Sequence, residues 1–207
     1  MGSTDRRGHW DGVYESKAAE SLTWYQARPE TSLRLIESAG LDIDARILDV
    51  GGGTSTLVDS LLDLGYVNLG VLDVSPVVLQ RVRRRLGSRG GRIEWLEADV
   101  TRFESAHPWD LWHDRAVLHF LTDPEDVAAY RRSMLRALAS GGQAVIATFG
   151  PDGPQKCSGL EARRYDSESL LKALGPEMQL IESELEEHVT PKDATQQFLF
   201  CRFRRIE

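Results

Sequence analysis

The stretch Arg46-Ile-Leu-Asp-Val-Gly-Gly-Gly-Thr-Ser-Thr-Leu-Val58 constrains this chain more than any other. Ile47, Leu48 and Val50 form a short apolar run that reads as a buried strand, and Gly51, Gly52 and Gly53 follow it at once. Glycine reaches backbone conformations closed to other residues and lets a ligand come close to the main chain. A helix is expected to start near Thr54 or Ser55, either of which suits its N-cap. Free N–H groups at such a start add positive potential. Strand, glycine turn and helix in this order predict a site for a nucleotide-like ligand without saying which one.

The neighbouring residues narrow the choice. A dinucleotide fingerprint needs G-x-G-x-x-G, and Thr56 stands where its third glycine belongs. Asp49 ends the strand two residues before Gly51, where an anion repels a pyrophosphate but accepts a hydrogen bond from an ammonium group. The next strand, Leu69–Val74, carries Asp73, placed to accept both hydroxyls of a ribose. A third, Ile93–Val100, carries Asp99, a candidate acceptor for an adenine amino group. Each acid alone has a plainer reading as a turn, cap or solvated loop residue. Three in register, each closing an apolar strand, favour one shared site at the ligand-binding end of an open α/β sheet.

That constellation resembles the S-adenosylmethionine site of class I methyltransferases, whose first motif runs D/E-x-G-x-G-x-G. Asp49, Gly51 and Gly53 match it, and Ser55 stands where the family often has glycine. The resemblance runs from about residue 30 to the end. It implies bound S-adenosyl-L-methionine, with Gly52, Val74 and Val100 beside the matched residues in the cofactor-binding set.

The length of 207 residues fits one α/β domain with a substantial core. From 46 to 149, strands alternate with helices, which predicts a parallel sheet covered on both faces. Two final strands, near Gln179–His188 and Gln196–Arg204, read as an antiparallel hairpin. The expected fold is thus a doubly wound, mostly parallel seven-stranded sheet, in the order 3-2-1-4-5-7-6 that the resemblance implies. Within residues 1–207, the expected divisions are an N-terminal lid segment (1–28), the cofactor-binding core (46–149), an acceptor-pocket loop (150–165) and a closing helix and hairpin (166–207). A formal charge of −7 argues against a general nucleic-acid or anionic-membrane binder. No apolar run is long enough to span a bilayer, and no signal-peptide core is visible. Cys157 and Cys201 lack disulfide-framework and metal-ligand spacing, so no metal is expected and the chain reads as cytoplasmic.

Residues 1–8 are polar and read as frayed. Trp10, Tyr14, Trp24 and Tyr25 then cluster ahead of the sheet, either as a hydrophobic clasp or as the lid of a ligand pocket. Helix Glu30–Ala39 stops at Gly40, and helix Pro76–Leu86 carries a basic run that reads as a solvated face. The fourth strand, expected over Trp109–Leu118, switches mid-run to His113, Asp114 and Arg115. Burying three ionisable groups is costly unless they reach the open end of the strand, so these are the catalytic candidates. Asp114 or His113 would act as a base, with His119 behind them. After helix Pro124–Leu138, Gly141-Gly142 is expected to turn into strand Gln143–Phe149. The loop beyond it holds Cys157, read as inert, and Arg163 and Arg164, read as a solvated pair.

Trp10…Tyr14, Trp24-Tyr25-Gln26 and Trp112–Leu118 resemble the thiopurine S-methyltransferase group, which implies Tyr14 at a cofactor lid and Asp114-Arg115 near the acceptor. The His9-Trp-Asp-x-x-Tyr14 start equally resembles small lysine methyltransferases. A small-molecule acceptor (thiol, amine or acid) is favoured over a protein. Outside this class stand an NAD-dependent oxidoreductase, against which Asp49 and Asp99 count, and a non-catalytic nucleotide-binding module.

Overall fold

The computed structural model describes residues 3–206. Strand β1 (Arg46–Val50) lies between β2 (Asn68–Asp73) and β4 (Trp109–Arg115), and pairs with both in parallel. Outward from these run β3 (Glu94–Glu97) on one side and β5 (Leu138–Phe149) on the other. The long strands β8 (Met178–Val189) and β9 (Thr195–Arg205) close the sheet antiparallel, giving the order β3-β2-β1-β4-β5-β9-β8. A separate two-stranded hairpin, β6 (Lys156–Cys157) and β7 (Leu160–Glu161), interrupts the long loop after β5. With that hairpin counted, the order is the expected one.

Successive strand residues face opposite sides, and the two cores follow that alternation. Ile47, Val71, Leu111 and Val145 point toward helices α2 (Glu30–Ser38), α3 (Leu57–Asp63) and α4 (Pro76–Leu86). Leu48, Leu72, Trp112 and Ile146 point the other way, toward α5 (Pro124–Ala137) and α6 (Ser167–Leu174). Local signals fix the helix starts. Ser75 accepts from Val78 N–H ahead of Pro76, Asp123 accepts from Glu125 N–H ahead of Pro124, and Asp166 forms a capping box with Ser169.

Several expectations need correction. Residues beyond 2 do not fray: α1 spans Ser3–Ser16, while residues 1 and 2 lie outside the described residues. Its ties are remote, Arg6 to Asp99 and Asp126, Arg7 to Glu97, and Asp11 to the Ser75 hydroxyl. Strand β3 pairs only over Glu94–Glu97, because Asp99 caps a short helical turn instead of continuing the ladder. β4 likewise stops at Arg115, where Ala116 takes a positive φ of 78° and turns the chain. Strand β5 begins at Leu138, before the expected glycine turn, since Leu138 already pairs with Trp109. The basic face of α4 is not simply solvated either. Arg81 donates to the carbonyls of Tyr14 and Lys17, and Arg85 to those of Thr54 and Ser55, so two of its arginines tie down α1 and the glycine turn.

Candidate functional site

At the C-terminal ends of β1 to β5 the chain encloses a cleft of about 420 Å³. Its floor begins with the glycine turn. Gly51 sits at φ +62°, and a side chain there would drive a Cβ to 2.0 Å from a Val117 methyl. Gly53 sits at φ +48°, with the Tyr14 hydroxyl 2.6 Å from where its Cβ would be. Both positions demand glycine for conformation and space together. The N-cap of helix α3 is Thr56, one or two residues beyond the expected Ser55 or Thr54, but the Ser55 hydroxyl still accepts from Leu57 N–H at 3.0 Å.

All the sequence-predicted site residues line the cleft except Gly53 and Asp114. Asp49 and His113 are register neighbours on β1 and β4, both buried. His113 Nδ1–H donates to Asp49 Oδ1 at 2.8 Å, and its Nε2 lies 2.9 Å from the Ser32 hydroxyl on α2. Both ring nitrogens are therefore engaged, and His113 is no free base. Asp49 Oδ2 is buried without a partner among the described residues, an acceptor held toward the cleft.

Asp73 accepts from Gly53 N–H at 3.0 Å and from Ser75 N–H at 2.9 Å. Burial pushes its carboxyl up to about 7; the hydrogen bonds from Ser75 and Gly53 pull the other way, and the charge of Asp49 adds to the rise. Tyr14 packs beside it, and burial, helped by Asp73, raises its phenol well above the ordinary value. Asp99 behaves in the opposite sense. Burial would raise its carboxyl, but hydrogen bonds from Thr101 and the Arg6 guanidinium outweigh burial and hold it below the usual range. Val74 and Val100, beside these acids, complete that wall.

Asp114, expected beside His113 and Arg115, is not among the residues lining the cleft. It faces the opposite core from His113 and Arg115, one step along the same strand. Its oxygens accept from Val117 N–H at 2.8 Å, Leu118 N–H at 3.1 Å and the Tyr130 hydroxyl at 2.7 Å. Burial lifts its carboxyl to about 6, with the Tyr130 hydrogen bond opposing that rise. The geometry gives it the work of shaping the turn after β4, with no reach to a ligand in the cleft.

Arg115 does face the cleft, donating to the Trp24 carbonyl at 2.8 Å with its guanidinium 4.7 Å from the Phe198 ring centre. Trp10 packs edge-on against Trp24 and Phe120, at 6.0 and 5.2 Å, so α1 roofs the cleft. Cys157, Gly159, Leu160 and Glu161 bring the loop after β5 onto the wall, and burial raises the Cys157 thiol. Arg163 and Arg164 stay exposed, as expected. Sequence reasoning missed Arg6, Ser32, Phe149, Gln196 and Phe198 as cleft residues. No local motif marks them; only the closure of α1, α2, β5 and β9 around the strand ends does.

A family model described as a methyltransferase domain matches residues 47–142. The mouse (Mus musculus) eEF1A lysine and N-terminal methyltransferase is 30% identical over 147 residues, which cover 69% of this chain but only 20% of that protein. This chain thus spans about a fifth of that relative's length. A structure from work on conversion of a disulfide bond into a thioacetal group during echinomycin biosynthesis superimposes with a TM-score of 0.79 at 21% identity, covering 97% of this chain and 93% of that one. The N-methyltransferase NodS of Bradyrhizobium japonicum, solved with S-adenosyl-L-homocysteine, gives a TM-score of 0.74 at 21% identity, covering 96% and 100%. The fold is the one these structures share. Among the described residues, no helix is long and apolar enough to cross a membrane.

Proposed function

We infer that this chain is an S-adenosylmethionine-dependent methyltransferase of the class I fold. The observation that carries this reading is the meeting of Asp49, Asp73 and Asp99 with the glycine turn on one cleft wall, at the ends of three adjacent parallel strands. Such a wall offers acceptors to a ligand rich in donors. It is ill suited to a pyrophosphate, which would meet Asp49. In this reading Asp49 Oδ2 accepts from the cofactor's ammonium, Asp73 from the ribose hydroxyls, and Asp99 from the adenine amino group beside Arg6.

Bound there, a sulfonium supplies the electrophilic methyl carbon. The protein's own part is positioning. Transfer is an in-line displacement, so the walls must hold donor and acceptor within roughly 3–3.5 Å on one line. His113 fixes the Asp49 carboxylate from behind, and Trp10 and Tyr14 on α1 exclude water from above. His113, with both nitrogens committed, and Asp114, turned into the opposite core, are not placed to serve as the base. That suits an acceptor that arrives already ionised or loses its proton to water.

A small-molecule acceptor fits better than a protein side chain, because α1 and the β6–β7 hairpin cover the cleft mouth. Protein lysine methylation stands as the second reading, favoured by the similarity to the eEF1A enzyme. Calorimetric titration with S-adenosylmethionine, S-adenosylhomocysteine and NADH tests the class. Binding of the first two alone is expected; binding of NADH alone would overturn the assignment.

A further inference from the structure

The cleft has a second polar centre that the cofactor reading does not use, on its β4–β5–β9 side. Arg115 spends one amino group on the Trp24 carbonyl, while its Nε and Nη2 are buried without a partner among the described residues. Glu186 and Asp49 act on it from a distance, and among the described residues no ion pair engages it. Burial lowers its pKa to about 10, so it remains a cation at neutral pH. His119 is fully buried and also faces the cleft. Phe149 N–H donates to its Nδ1 at 3.2 Å, which leaves the proton of the neutral ring on Nε2. That Nε2 has no partner either. Burial, with the Arg115 charge adding to it, lowers the imidazole to about 3, so the ring stays neutral. Three donor atoms without a partner, Arg115 Nε and Nη2 and His119 Nε2, thus belong to residues of one cleft, which Gln196, with its buried and unpartnered Oε1, also lines.

The walls of that space are aromatic. His119 stacks on Phe149 at 4.3 Å, Phe149 meets Phe198 at 4.9 Å, and Phe120 stands edge-on to His119 at 4.4 Å. Leaving such donors unsatisfied beside aromatic walls costs free energy, which ordered water or a ligand's acceptor returns. We propose that Arg115 and His119 form an acceptor subsite for the carboxylate of a small planar acid, whose ring lies against Phe149 and Phe198. The guanidinium presents a fork that matches a carboxylate, and the His119 Nε2–H adds a neutral donor. This proposal rests on the methyltransferase reading, since it assigns the acceptor of that same cleft. One other carboxylate competes for Arg115, that of the cofactor's own amino-acid end, and the experiment must separate the two.

The test titrates benzoate, benzamide and benzylamine into the complex of the whole chain with S-adenosylhomocysteine. Benzoate is expected to bind with a dissociation constant on the order of 1 mM, as a small fragment allows. The neutral and cationic analogues are expected to bind at least about tenfold more weakly. Arg115→Gln should abolish the preference for benzoate, Arg115→Lys should restore part of it, and His119→Gln should weaken it severalfold, all with S-adenosylhomocysteine affinity kept. If Arg115→Gln instead loses S-adenosylhomocysteine while 5′-methylthioadenosine, which lacks the amino-acid end, binds as before, the guanidinium reads the cofactor and the proposal is wrong. Equal binding of benzoate and benzamide to the parent complex overturns it as well. Failure of the parent to bind S-adenosylhomocysteine at all is the separate signature of a wrong methyltransferase assignment.

Discussion

Asp73 is a carboxylate that the fold alone does not want charged, and replacing it should reveal that. Its folded pKa of about 7 stands against 3.8 for a free side chain. At about 1.4 kcal/mol per unit, holding it ionised above pH 7 destabilises the free protein by about 4 kcal/mol. Asn has nearly the same shape but only one acceptor for the N–H groups of Gly53 and Ser75, a loss of about 1–3 kcal/mol. Asp73→Asn should therefore stabilise the free protein at pH 8.5 by about 1–3 kcal/mol, or roughly 3–10 °C in melting temperature. The sign with pH follows from the raised pKa. The parent's stabilisation from protonated Asp73 is complete below about 3.8 and is lost as pH rises through about 7. The advantage of the Asn variant is then greatest at alkaline pH and shrinks by about 1.4 kcal/mol per unit below pH 7. Thermal unfolding followed by circular dichroism at pH 8.5 and 5.5 measures this directly. On the reading that Asp73 holds the ribose, the stabilised variant should also gain less melting temperature from S-adenosylhomocysteine than the parent. An equal difference between variant and parent at both pH values would refute the argument that burial of charge sets the stability here.

Other substitutions probe the rest of the site. Gly51→Ala forces a methyl into Val117 at a positive φ and should cost about 2–4 kcal/mol, read as a lower melting temperature with loss of cofactor binding. Asp114→Ala strands Val117 N–H, Leu118 N–H and the Tyr130 hydroxyl and should cost about 3–5 kcal/mol. Asp114→Asn should keep turnover within about threefold, since the residue never reaches the cleft; a loss near a thousandfold would restore it as a base. Trp10→Ala should weaken S-adenosylhomocysteine binding about tenfold with little change in melting temperature of the free protein, because its ring partners, Trp24 and Phe120, lie on the cleft wall. The reverse pattern would mark it as a plain clasp.

The sheet and most helices are legible in the sequence because their signals are local. Apolar runs bounded by glycine, and helices opened by Ser75-Pro76, Asp123-Pro124 and Asp166, need no distant partner to be read. Helix α1 is not legible, because it is polar, contains Gly8 and Gly12, and is ordered by groups such as Asp99 and Asp126 that lie about a hundred residues away. Asp114 is a different case, since the residue order alone places it correctly. The two-residue period of a strand puts His113 and Arg115 on one face and Asp114 on the other, and grouping the three neighbours as one cluster overlooks that alternation. Gln196 and Phe198 are out of reach for another reason: only the antiparallel return of β9 beside β5 brings them to the cleft.

The fastening of α1 bears on the timing of turnover. The helix roofs the cleft, and four of its ties are charged or polar: Arg6 to Asp99 and Asp126, Arg7 to Glu97, and Asp11 to Ser75. If α1 must lift for a spent cofactor to leave, those ties are the ones that have to open. Mobile ions weaken an exposed pair such as Arg7–Glu97 most, and the largely buried Arg6–Asp99 pair less. In the methyltransferase reading, ionic strength is then expected to act on departure of the cofactor product through the first helix, apart from the transfer itself. With acceptor saturating and product departure limiting, added sodium chloride should quicken turnover until the helix no longer closes.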